Sequence, residues 1–359
     1  MIFKCGIIGL PNVGKSTLFK SLTQSCIKVS NYPFCTIKPN VGVVPVPDIR
    51  LNILKKLIKT KLMTPAIITF IDIAGLVKGS SQGEGLGNKF LSHIRETTAL
   101  IHIVRCFKNE NIIHVRGIVN PKEDIELINT ELALADLQLC ESALDKQSKI
   151  HNKSMNQQKD LEIKILEKMF NFLDNIKQKK ILIISEEEKY IIKKYNFLTL
   201  KPVIYVANIN KYYLDNKCYV QEVYKIAQQE NTHAVTICSV ENSEKQIFKT
   251  KKLQELIFPP LELNKVIRSG YHLLNLITYF TVSSKEVKAW SIVNGSTAYQ
   301  AARKIHTDFQ KRFIRAKIIS FKDFIAYKGE QGAKLAGKMR IEGKKYIIQD
   351  GDIIHIISN

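Results

Sequence analysis

Residues Gly9-Leu10-Pro11-Asn12-Val13-Gly14-Lys15-Ser16 complete the pattern G-x4-G-K-S between an apolar run, Ile2 to Ile8, and a stretch of helix-forming residues. A loop of this kind works only where a strand delivers it to a helix N-terminus, because backbone N–H groups must converge on phosphate oxygens there. The glycines admit the close approach, Lys15 faces the β and γ oxygens, and the Ser16 hydroxyl is suited to Mg²⁺. Asn12, Val13, Gly14, Lys15, Ser16 and Thr17 are therefore expected to line a nucleotide triphosphate. The chain should be an α/β protein with a parallel sheet, its ligand at the carboxyl ends of the strands.

The remaining pattern agrees with this. Apolar runs of strand length recur at Ile2 to Ile8, Ala66 to Ile73, Ala99 to Cys106, Pro202 to Ile209 and Ala234 to Cys238, separated by helix-compatible stretches. Continuous runs of this type suit strands covered on both faces. Between the third and fourth lies a charged, glycine-poor insertion, Asn120 to Asn196. Its apolar residues Ile125, Ile128, Leu132, Ala135 and Leu139 follow helical spacing, and Leu161, Ile165, Met169, Leu173 and Ile176 return as a second stripe. An antiparallel helical hairpin is expected. After Pro259-Pro260 the pattern changes to short strands at Leu274 to Val282, Lys288 to Val293 and Tyr346 to Ile357, with helix-like pieces between, which predicts a separate α+β domain. The Asp350-Gly351 pair predicts a terminal hairpin of Tyr346-Ile347-Ile348 with Ile353 to Ile357.

Asp72-Ile73-Ala74-Gly75 follows an apolar strand, placing Asp72 to hold magnesium through water and Gly75 to offer its N–H to the γ-phosphate. Thr36, twenty residues beyond Ser16, is placed to complete the magnesium ligands. The residue after Gly75 is Leu76, where many nucleotide switches carry a water-orienting glutamine, so hydrolysis must proceed differently or slowly. Asn208-Ile209-Asn210-Lys211 stands where guanine-specific proteins carry N-K-x-D. Guanine presents N–H donors that need a carboxylate, and the Lys211 ammonium has only donors, so ATP is the better candidate.

Lys and Arg outnumber Asp and Glu by 54 to 33, a net charge of +21 that suits a polyanionic partner. An AT-rich coding bias toward Lys, Ile and Asn produces the same excess, so its distribution matters more. Residues 300 to 346 carry thirteen Lys or Arg against four Asp or Glu, including Arg303, Lys304, Lys311, Arg312, Arg315 and Lys317. This stretch is expected to face RNA or the ribosome, with a solvated face as the alternative. Seven cysteines without a C-x-x-C pair suit reduced thiols in the cytoplasm and argue against a disulfide framework or zinc site. No run of about eighteen uncharged apolar residues is present, so no membrane span is expected.

Together these residues resemble the YchF family of Obg-like ATPases along the whole chain. The resemblance rests on Cys5 to Phe19, Asn31 to Thr36, Asp72 to Gly79, Gly83 to Gly87 and Asn129 to Asp136. It continues through His306-Thr307-Asp308-Phe309 and Tyr327 to Lys334. It implies an Obg-type P-loop domain over 1–119 and 197–258, an inserted helical hairpin over 120–196, and a TGS domain of β-grasp type over 275–358. It further implies a cytoplasmic, Mg²⁺-dependent ATPase, using GTP more weakly, that binds ribosomal RNA and proteins and acts in translation or stress regulation; a monomer is expected. By the same resemblance Asn208 and Ile209 read adenine, partly through backbone groups, His114 assists hydrolysis, and Asn12 links to K⁺ binding. Lys211 departs from the family's usual glutamate. The alternatives are a nucleotide-gated RNA- or ribosome-binding module with negligible turnover, and a guanine-preferring GTPase.

Overall fold

The computed structural model describes residues 3–24, 40–73, 86–151, 157–174, 182, 184–210, 217–238 and 261–359. Strand β1 is Lys4–Ile8, followed by helix α1, Lys15–Gln24. Next come β2 (Val41–Pro45), α2 (Ile49–Ile58), β3 (Leu62–Thr64) and β4 (Ile67–Asp72). Helix α3 is Leu86–Arg95, β5 is Ala99–Arg105, and three helices follow: α4 (Pro121–His151), α5 (Gln157–Asp174) and α6 (Glu186–Tyr195). The next elements are β6 (Val203–Ile209), α7 (Lys217–Gln229) and β7 (Ala234–Cys238). The last part holds α8 (Leu261–Leu273), β8 (Leu276–Val282), β9 (Glu286–Val293), α9 (Ala298–Ile305) and α10 (Thr307–Lys311). It ends with β10 (Phe313–Ser320), α11 (Phe321–Ala326), α12 (Glu330–Leu335), β11 (Arg340–Glu342) and β12 (Asp352–Ser358). None of the described helices is long and apolar enough to cross a membrane.

The chain divides into two compact units, one of Lys4–Phe19 and Ile71–Glu241, the other of Met1–Phe3, Lys20–Phe70 and Asn242–Asn359. In the first, parallel strands run in the order β1-β5-β6-β7, with Cys5 opposite Ala99 and Leu100 opposite Val203. Every residue of β5 is buried, which is why its sequence reads as a continuous run rather than an alternation. Val104, Cys106, Tyr205 and Ala207 of the strands and their ends share a core with Ile125 of α4 and Val220, Val223 and Ala227 of α7.

The insertion folds as its periodicity predicts. Ile125, Ile128, Leu132 and Ala135 are buried along α4, and Ile165, Met169 and Leu173 along α5; Ile176 lies outside the described residues. Ala133, Cys140 and Ala143 pack with Leu166, Met169, Leu173 and Phe197 in one core. Two helices with five residues between them can pack side by side only by running antiparallel. The Asp136 carboxylate fastens α4 to the chain entering β6, accepting from Leu198 N–H (3.0 Å), Thr199 N–H (2.8 Å) and the Thr199 hydroxyl (2.8 Å). Helix α6 starts with a capping box between Ser185 and Glu188. It holds to α5 through Lys168 to Glu188 at 2.8 Å and Lys194 to Glu162 at 2.6 Å.

In the second unit the sheet order is β11-β10-β12-β8-β9-β3. The expected terminal hairpin does not form. Its turn forms, with Asp352 N–H donating to Gln349 O at 3.1 Å and Gly351 at φ 90°. Strand β12 nevertheless pairs antiparallel with β10, Ile354 opposite Ile318, and parallel with β8, Ile353 opposite Phe280. Tyr346 and Ile348 instead bond to Ala298 and Ser296. Burial decides the pairing: Ile318, Ile348 and Ile354 join Tyr279, Ile292 and Phe313 in one core under Ala298, Ala301 and Ala302 of α9. Strand β10 itself falls in a stretch expected to be helix-like.

Strand β3 is an addition that the pattern did not suggest. It extends the sheet in parallel to β9, Leu62 opposite Glu286 and Thr64 opposite Lys288, while the Thr60 hydroxyl donates to Lys285 O at 2.6 Å. Nearby, Arg50 donates to Asp48 at 2.7 Å and to Asp350 at 2.7 Å. Of the thirteen basic residues between 300 and 346, all but Lys304 and Lys317 are exposed. Lys304 is half-buried, its ammonium 4.6 Å from the Phe3 ring centre.

Candidate nucleotide-binding site

The loop after β1 takes the conformation its residues allow. Gly9 has φ 151°, and a Cβ there would lie 2.5 Å from Ile103 O of β5, so only glycine lets the two backbones pass. Asn12 and Gly14 follow at φ 62° and 102°, a left-handed conformation that asparagine and glycine accept most easily. The turn delivers Gly14 O to Leu18 N–H at 3.0 Å, starting α1.

Lys15 is 7% exposed and donates to Gly9 O at 3.0 Å and Leu10 O at 2.7 Å. Burial lowers its pKa to about 8, with Asp72 acting in the opposite sense. The Ser16 hydroxyl donates to Asp72 Oδ2 at 3.0 Å, bringing together the two residues expected to serve magnesium from 56 positions apart. Asp72 reaches the loop because the end of β4 lies beside β1, Ile73 N–H donating to Ile7 O at 3.2 Å. Burial pushes the Asp72 carboxyl up, and the Ser16 hydroxyl and Lys15 ammonium pull it back. Its Oδ1 is buried without a hydrogen-bond partner. An unpartnered buried carboxylate oxygen is unfavourable unless a cation or donor meets it, so a hydroxyl and this carboxylate fit a hard, oxygen-seeking ion such as Mg²⁺. Thr36, Gly75, Leu76 and Lys211 lie outside the described residues.

Two further contacts hold the loop. Asn208, 3% exposed at the end of β6, donates from Nδ2 to Val13 O at 2.8 Å; Ile209 follows it, half-buried. This Asn208 nitrogen therefore positions the phosphate loop. Asn12 Nδ2 in turn donates to Ile113 O at 3.2 Å, in the segment between β5 and α4. His114 is buried there. Its Nδ1 accepts from Arg116 N–H at 3.2 Å, so the proton sits on Nε2, which meets Asp124 Oδ2 at 3.0 Å. Both ring nitrogens are thus engaged, one by the segment and the other by α4. Asn120 caps α4, its Oδ1 accepting from Glu123 N–H at 3.3 Å, and Pro121 occupies the first helical position. That start sets Asp124 in the first turn, where the helix dipole favours a carboxylate.

Two buried residues near the loop escaped the sequence reading. His102 in β5 is 2% exposed, its ring 5.3 Å from that of Tyr205, and burial with the Lys15 charge lowers its pKa to about 3. Arg105, the last residue of β5, is 1% exposed. An ionisable residue inside an apolar strand was the available signal, since such groups are buried only when their polar atoms are engaged.

Residues 4–138 match the family model described as "50S ribosome-binding GTPase", and residues 276–359 match YchF-GTPase_C, described as "Protein of unknown function (DUF933)". The "Ribosome-binding ATPase YchF" of Escherichia coli O157:H7 is 54% identical, with all of both chains covered. The protein of that name from Haemophilus ducreyi is 52% identical over the same full extent. Among solved structures, the Schizosaccharomyces pombe YchF GTPase superposes with a TM-score of 0.85 at 38% identity, over 99% of this chain and 97% of that one. A phosphate loop built between β1 and α1, joined by a distinct C-terminal sheet and matched end to end at this identity, places the chain in the YchF family.

Proposed function

We propose that this chain binds and hydrolyses ATP, with Mg²⁺, at the ribosome, in translation or stress regulation. The observation that carries the reading is the meeting of Lys15, Ser16 and Asp72, with one Asp72 oxygen left for a cation. In this reading the loop N–H groups and the Lys15 ammonium bind the triphosphate and neutralise charge as the terminal phosphoryl group leaves. Bound Mg²⁺ would supply further neutralisation of the phosphate oxygens, held by Ser16 and, through water, Asp72. Thr36 and Gly75 are proposed to join from outside the described residues. Asn208 keeps the loop aligned through Val13 O, and the Asn208 to Lys211 segment disfavours guanine because it lacks the carboxylate that guanine requires. The exposed basic residues between 300 and 346 support contact with ribosomal RNA.

A second reading, a nucleotide-gated ribosome binder with little turnover, draws support from His114, whose two nitrogens are both engaged, and from Leu76 in place of a water-orienting glutamine. One experiment separates them: affinity and turnover of ATP and GTP with Mg²⁺, with and without ribosomes. Tighter ATP binding and ribosome-stimulated turnover are expected. A GTP preference overturns the adenine assignment, ATP-dependent ribosome binding without turnover selects the second reading, and unchanged ATP turnover in Lys15→Ala removes the site assignment.

A further inference from the structure

Arg105 stands at the carboxyl end of β5, the edge of the sheet where the phosphate loop lies, yet it offers no charge to solvent. Its guanidinium is spent on the main chain that follows. Nε donates to Phe107 O at 3.1 Å, one terminal nitrogen to Ile112 O at 3.0 Å, and the other to Asn109 O at 3.2 Å. The guanidinium carbon also lies 4.8 Å from the Phe107 ring centre. Three carbonyls of one short segment are thereby turned inward on a single planar fork. The next carbonyl, Ile113 O, accepts from Asn12 of the phosphate loop.

We infer that Arg105 is a positioning residue for nucleotide binding: by clasping residues 107 to 112 it holds Ile113 O where Asn12 needs it, and so fixes the phosphate loop through a second contact beside that of Asn208. This rests on the ATP-binding reading above. Asn12 is a non-glycine residue held left-handed in the loop, and its side-chain bond restrains the turn that aims the backbone N–H groups. Only an arginine reaches three carbonyls in fixed directions; a lysine at this place has a single ammonium on a flexible stem and cannot hold all three. Asn208 secures the neighbouring Val13 carbonyl, and its own carbonyl accepts from Cys106 N–H at 2.8 Å, so both restraints issue from the adjoining ends of β5 and β6.

The test is a double-mutant cycle on ATP affinity in the full chain, using Arg105→Lys, Asn12→Ala and the pair. Each single change is expected to weaken ATP binding about tenfold, the effect of losing one charge-assisted or strained-turn contact. The pair should bind no worse than either single variant, a coupling that a general loss of stability would not produce. Additive losses, or Arg105→Lys at wild-type affinity, overturn the inference. Failure of wild-type protein to bind ATP overturns the underlying reading instead. As a measurement that needs no variant, ATP should slow amide exchange at residues 111–116 together with residues 12–16; protection of the phosphate loop alone overturns the positioning role. Guanidinium ion added to Arg105→Ala should restore affinity if the fork is what matters, and absence of rescue in a folded variant counts against it.

Discussion

Replacing His102 by leucine should flatten the acid limb of the protein's stability. The imidazole is 2% exposed, and burial first, then the Lys15 charge, holds its pKa down at about 3 against an ordinary 6.5. The folded chain therefore keeps His102 neutral while the unfolded chain takes up a proton as pH falls through 6.5. Stability from this source is fully present above that pH and is lost progressively toward pH 3. Proton linkage with these two values removes about 2 kcal/mol between pH 7.5 and pH 5. Asp72, Asp124 and Asp136, pushed up by burial, act in the opposite direction, but they are common to both proteins and cancel in the comparison. The assay is urea unfolding followed by far-ultraviolet circular dichroism at pH 7.5, 6 and 5, on wild type and His102→Leu. Whatever the variant's starting stability, its loss over this range should be smaller by about 2 kcal/mol at an unchanged denaturant slope. Parallel losses in the two proteins would refute the reasoning.

Three further outcomes follow from the geometry. Gly9→Ala places a methyl 2.5 Å from Ile103 O and should weaken ATP binding more than tenfold in titration; wild-type affinity would show that the loop can shift. Asp136→Ala strands two N–H groups and a hydroxyl in a site with no solvent exposure, costing about 3 kcal/mol or more by urea unfolding, with Asp136→Asn between it and wild type. Arg50→Met removes the bonds to Asp48 and Asp350 and should cost about 1–2 kcal/mol, less at high salt. The single tryptophan, Trp290 in β9, reports that loss by fluorescence during thermal unfolding, and an unchanged midpoint would count against the clamp.

What could be read in the sequence was local. The phosphate loop was legible because glycine spacing, Lys15 and Ser16 act through a turn of eight residues whose backbone chemistry is written in order. Asp72 was legible as the end of an apolar strand, and the α4 and α5 stripes because helical geometry repeats every three or four residues. Even the turn at Asp350-Gly351 was correctly placed, since a left-handed residue favours glycine.

Partner choice was not legible in the same way. Strand β12 took β10 and β8 rather than the segment just before its turn, because isoleucines 318, 348 and 354 bury together only in that arrangement. Nothing in Lys61 to Thr64 announces a strand beside Glu286, and nothing in Asn208 alone points to the carbonyl of Val13. Arg105 read as the end of a strand until its three carbonyls were in place. Periodicity and turn chemistry depend on residues a few positions apart and are therefore carried by the sequence itself. Which distant donor meets which acceptor is decided only when the whole core packs, because burial makes an unmet partner costly.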